Sequence, residues 1–204
     1  MRPKNDRTID THVEHKCQYH INFSKFALEY KHMTVAEDGR VAIAGKSLGV
    51  RKNFLNFWNP DTQIIGDCTG LPNFQDDLYV RGLCEVYIEG KPKLVISIGN
   101  VLFTYNSEAV FGRFFKSFQQ SLHQWPHSLS SSGDKLAFAV NSTTSETIRC
   151  LSTEKEAFTV FTDIVSGLQK VTGMSIIPEK DMLVVCGKGL GTETSIMKCL
   201  AIES

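Results

Sequence analysis

A chain of 204 residues is enough for one domain or two small ones, and a core of that size holds without disulfides. Lysine plus arginine balance aspartate plus glutamate at 22 each, which excludes a global field toward nucleic acid or an anionic membrane but leaves room for a local basic patch. No run is apolar enough to span a bilayer, no signal-peptide core follows the basic opening, and six cysteines read as reduced, mostly buried thiols of a cytoplasmic or nuclear protein.

Residues 1–17 read as a flexible lead-in and 18–204 as a single domain. Within the lead-in and its exit, His12, His15, His20, Glu14 and Cys17 lie close together. Cys17 and His20 have metal-ligand spacing, but the second pair that a structural zinc site needs is missing. We therefore expect no metal and no cofactor there, only a polar approach to the first strand. The run 19–30 is a further candidate strand.

From residue 32 a plan emerges and repeats. Residues 32–45 read as strand, Asp38-Gly39 turn and strand, since an Asp-Gly pair accepts the positive φ of a tight hairpin. The plan returns at 83–99 about Gly90, at 127–141 about Gly133-Asp134, and at 172–187 about Asp181. Each hairpin is followed by an apolar strand that closes on polar residues: 54–61, 101–108, 147–154 and 195–203. Turn centres near 39, 90, 133 and 180 run in phase with Trp58, Tyr105, Cys150 and Cys199. A shared period of roughly 40–50 residues is the signature of propeller blades, small sheets that must stack to bury their faces.

Between the second and third units, Phe111, Phe114, Phe115, Phe118, Leu122 and Trp125 recur at helical offsets. The repeat favours an outer blade strand over 112–119 with buried aromatics; an exposed helix would instead offer a docking face. Gly45-Lys46-Ser47 resembles the end of a phosphate-binding loop, but the first glycine of that motif would fall on Arg40, and an aromatic strand follows instead of a helix. The same glycine-lysine stretch returns at Gly187-Lys188. We read both copies as a blade loop after the second strand, its glycines serving the turn.

The stretch Phe57-Trp58-Asn59-Pro60-Asp61-Thr62 is similar to the end of the third strand in WD-repeat proteins. Over about 18–204 the chain resembles the β-propeller superfamily, most nearly a divergent WD-repeat protein, with NHL-type propellers as the near rival. The resemblance implies an all-β, propeller-like domain of about four blade units, at 32–80, 81–124, 125–169 and 170–204. The ring is then either incomplete or closed by the N-terminal strand at 19–30.

A loop face of such a disc would present Lys46, Arg51 and Lys52 from the first unit and Lys188 from the last, beside Phe54, Phe57 and Trp58. Cations beside aromatics suit an acidic peptide, phosphate or nucleic acid; the plainer reading is a solvated loop over core aromatics. The expected function is an intracellular protein-interaction scaffold, a subunit of a larger complex with protein partners that are obligate if they complete the ring. Self-association is expected if the ring is incomplete. One alternative is RNA binding through the basic loops 46–52 and 187–191, and another is an enzyme with dispersed residues. No local nucleophile or metalloprotease motif is present in the sequence, so no catalytic residue is assigned.

Overall fold

The computed structural model describes residues 28–47, 52–62, 69–71, 79–105, 111–114, 125–153 and 159–202. The 11–20 cluster, Arg51 and the stretch 115–124 lie outside them. Fifteen strands form four antiparallel sheets, and the only other regular element among the described residues is a 3-10 turn, Pro178–Lys180. In each sheet the strands lie side by side in chain order. The first sheet holds β1 (Leu28–Val35), β2 (Val41–Ser47), β3 (Asn53–Trp58) and β4 (Thr69–Gly70). The second holds β5 (Val80–Ile88), β6 (Lys91–Ile98), β7 (Val101–Tyr105) and β8 (Phe111–Phe114). The third holds β9 (His127–Ser132), β10 (Lys135–Val140), β11 (Thr147–Ser152) and β12 (Thr159–Val165), and the last β13 (Leu168–Ile177), β14 (Met182–Gly189) and β15 (Ser195–Ala201).

The expected turns fall where they were placed. Gly39, Gly90 and Gly133 take φ of 81°, 71° and 56°, and Asp181 takes 46°. The segment expected as an outer strand is one over Phe111–Phe114, where it pairs with β7. Of the run 19–30 expected to close the ring, 28–30 belong to β1 and pair with β2, and 19–27 lie outside the described residues. The last sheet has three strands among the described residues.

First strands β1, β5, β9 and β13 touch in succession, so the sheets stand around a common inner line as propeller blades do. The core is split accordingly into three slabs. Ala42, Ala44 and Leu55 of the first sheet meet Leu83, Leu94, Ile96 and Phe103 of the second. The other face of the second, with Val86, Ile88 and Val95, meets Leu136, Phe138 and Val140 of the third. The remaining face of the third, with Ala137, Ala139, Ile148 and Cys150, meets Val171, Leu183 and Val185 of the last. Strand β10 is thus buried on both faces from Leu136 on, which is why 136–140 reads as a continuous apolar run and not as an alternating one.

Two expectations are corrected. Cys84 and Cys150 are buried as expected, and burial pushes their thiols up to about 12 and about 11. Cys186 and Cys199 are exposed, because they lie on the side of β14 and β15 turned away from the third slab. Gly45-Lys46-Ser47 is not a loop but the end of β2, and Gly187-Lys188 lies within β14. Each glycine stands opposite an irregular stretch of the inner strand, near Tyr30/His32 in β1 and Val171/Gly173 in β13. A Cβ there would run into the backbone carbonyl of Glu29 or Lys170. The glycines permit close approach of two backbones, not a turn.

Candidate functional site

Antiparallel pairing puts the starts of the inner strands, the ends of β2 and β14, and the starts of the third strands at one end of the sheets. An open groove of about 820 Å³ lies there, lined from all four sheets. Lys31 and His32 come from β1, Arg81 from β5 with Tyr79 just before it, His127 and Ser128 from β9, and Lys170 from β13. Lys188 reaches it from β14.

The sequence-predicted residues are partly brought together here. Lys188 lines the groove and pairs with the exposed carboxylate of Glu193 at 2.8 Å. Lys46 sits 5.4 Å from the centre of the Tyr79 ring, and Tyr79 lines the groove. Lys52 is exposed at the same end, where its carbonyl accepts the Ser47 N–H at 2.8 Å. Trp58 is not with them. It stands at the far end of β3, opposite Val41, about 17 Å from the β2–β3 connection at the usual rise per residue. The indole belongs to the other end of the first sheet.

Sequence reasoning missed Lys31, Arg81, His127, Glu146 and Lys170. A signal existed: each inner strand carries a basic residue within its first four positions, at 31, 81, 127 and 170. Arg81 is the most constrained. Its guanidinium lies 4.3 Å from the Trp125 ring centre and 5.3 Å from that of Tyr79. Burial lowers its pKa, the neighbouring Tyr79 works the other way, and its buried Nε has no hydrogen-bond acceptor among the described residues. An arginine keeps its proton in such a place, and among the described residues no carboxylate compensates its charge.

Glu146 is the one carboxylate lining the groove among the described residues, and it is already engaged. One oxygen meets His127 Nε2 at 3.1 Å, and the other accepts the Val171 N–H. His127 Nδ1 lies 3.0 Å from Ser128 Oγ, and that hydroxyl donates to the Val171 carbonyl at 3.4 Å. A serine, an imidazole and a carboxylate in line invite a hydrolytic reading. Here both ends of the line are tied to Val171, and the Glu146 backbone bonds to Leu168 and Ser166, so the chain clamps the third sheet to the fourth. Ser128 holds φ of 51° within this clamp, a conformation that costs a non-glycine residue about 1–3 kcal/mol.

Burial lowers the pKa of His32 below 6.5, reinforced by the charges of Lys31 and His127 and opposed by the Val80 backbone bond. The unfolded chain therefore takes up this proton more readily than the folded one. The stability that follows is intact above 6.5 and falls as the pH drops through the lowered folded value. We expect the urea midpoint of the native chain to fall more steeply between pH 7.5 and 5 than that of His32→Gln; parallel curves would sink this assignment.

No family model matches the chain, and no curated protein matches it. Solved structures do. The Dos1 propeller superposes with a TM-score of 0.58 at 14% identity, covering 78% of this chain and 42% of that one. A chain of the mitotic checkpoint complex gives 0.57 at 17%, covering 85% and 48%. Luciferin-regenerating enzyme gives 0.54 at 13%, covering 85% and 59%. The fold is that of a β-propeller, and the chain spans about half the length of these structures. Among the described residues, no helix is long and apolar enough to cross a membrane.

Proposed function

We propose that this chain is a protein-interaction platform that receives partners at the end of the sheets where the inner strands begin. The observation that carries the reading is the open groove lined from all four sheets, Lys188 among its lining, with Lys46 beside the lining Tyr79 and Lys52 exposed at the same end of the first sheet. Propellers host both scaffolds and enzymes, so the fold alone does not decide. The groove does favour binding over catalysis, since its histidine–carboxylate pair serves to join two sheets. Exposed Met33 and Val35 on β1 and Met197 on β15 add apolar contact area beyond the groove. The free thiols of Cys84, Cys150, Cys186 and Cys199 support work in a reducing compartment, cytoplasm or nucleus.

Affinity capture of the tagged chain from its native cells, with and without nuclease, tests this. Specific protein partners that survive nuclease and are lost with Lys46→Ala/Lys52→Ala/Lys188→Ala support the platform. Partners that vanish with nuclease, or RNA recovered in place of protein, would place the chain among nucleic-acid binders instead.

A further inference from the structure

We propose that the groove takes an extended, carboxylate-rich segment of a partner protein, with Arg81 as its anchor and Lys170 as the second contact. This inference rests on the platform reading and specifies its ligand. Charge complementarity carries it. Among the described residues, Lys31, Arg81, Lys170 and Lys188 line the groove against one carboxylate, Glu146, whose two oxygens are already bonded within the protein. Lys31 and Lys188 have partners in Glu29 and Glu193, both on the exposed surface. Among the described residues, Lys170 has no ion pair, and Arg81 has neither an ion pair nor an acceptor for its Nε.

Arg81 is also the group best prepared to bind. Its guanidinium rests against the Trp125 ring and near the Tyr79 ring, contacts that reduce the conformational freedom to be lost when a carboxylate meets it. With no counter-ion for this half-buried cation among the described residues, the groove is a route by which compensation can arrive. A carboxylate supplies it with charge-assisted hydrogen bonds in the planar, two-point geometry that guanidinium prefers. Asn141 and Gln169, exposed on the same wall, offer amides to a peptide backbone. The volume of about 820 Å³ suits a short segment threaded through an opening.

A nucleic acid fits less well. Single strands bind by stacking bases on free aromatic faces along a basic track. Here Tyr79 is approached by Arg81 and Lys46, and Trp125 by Arg81, so cations occupy the positions that bases would need.

The test uses the full chain and three fluorescent probes: a six-glutamate peptide, its six-glutamine counterpart and a six-nucleotide single-stranded RNA, compared by anisotropy. We expect the glutamate peptide to bind, the other two to bind more weakly, and the affinity to fall as salt rises. Arg81→Gln should weaken peptide binding by about 10- to 100-fold, the usual worth of hydrogen bonds to a charged group. Lys170→Gln should weaken it less, by about five-fold, as a single exposed point charge would. Unchanged thermal melts certify the variants. Should Arg81→Gln not fold, Arg81→Lys keeps the charge without the fork and should still lose affinity. Equal binding of glutamate and glutamine peptides, an unaffected Arg81 variant, or tighter RNA binding overturns the proposal. A random-peptide display selection on the same chain separates the two levels. Enrichment of neutral peptides that ignore Arg81 leaves the platform standing and removes its acidic ligand, whereas an absence of any enriched peptide removes both.

Discussion

Gly187→Ala is expected to lower the unfolding free energy by about 3 kcal/mol, the upper part of the range for overpacked sites. The added methyl would sit 2.9 Å from both the Lys170 carbonyl carbon and the Val171 Cα, and closer still to the Lys170 oxygen. Every one of those atoms is backbone, so no rotamer change relieves the clash. Strands β13 and β14 would have to part at the irregular stretch that now brings them together. Gly45→Ala in β2 should behave alike, since its Cβ would meet the Glu29 carbonyl. Gly39→Ala is the control: its φ is +81°, but nothing lies within 4 Å of the added carbon, so only the left-handed backbone cost of about 1–2 kcal/mol applies. Urea denaturation ranks the three. If Gly187→Ala costs no more than Gly39→Ala, the close approach is not what the glycine serves.

Phe138→Ala should cost about 4 kcal/mol, as large-to-small changes of a buried phenylalanine do. Its side chain is fully buried in the slab between the second and third sheets, among Val86, Ile88, Leu136 and Leu151. The neighbouring blades cannot close over the lost volume without disturbing the slabs on their far sides. A domain's whole stability is about 5–15 kcal/mol, so this one change would consume a large share of it. Because the slab joins two pairs of sheets, the unfolding transition should also broaden as the pairs begin to melt separately. A loss under about 1.5 kcal/mol, with a transition as sharp as the native one, would show that the slab does not couple the blades.

The blade plan was legible because hairpins announce themselves locally. Gly39, Gly90 and Gly133 adopt the positive φ that only glycine takes without strain, and each is flanked by strand-forming runs. The glycine-lysine recurrence at 45 and 187 was legible as a repeat, but its cause was not. It depends on an irregular pairing in a different strand, which leaves no local mark. The groove was hardest to foresee. It draws single residues from Lys31 to Lys188, and each alone reads as an ordinary solvated strand end. The stack of Arg81 on Trp125 joins two blades, so no window of sequence contains it. Trp58 misled for a related reason: aromatic residues near a basic loop in sequence can lie a whole strand away from it in space.

The division of the core into three slabs bears on how such a chain is recognised at all. Apolar face against apolar face asks for bulk and oiliness at each position and accepts many spellings of them. Ala137 and Ala139 look one way and Phe138 the other, yet other pairs of small and large side chains would fill the same gaps. Under that rule letters can drift while the spacing of turns cannot, which accords with a chain that no family model matches and yet superposes on propellers at 14% identity. Kin of this protein would be found by the rhythm of their turn glycines sooner than by their alphabet.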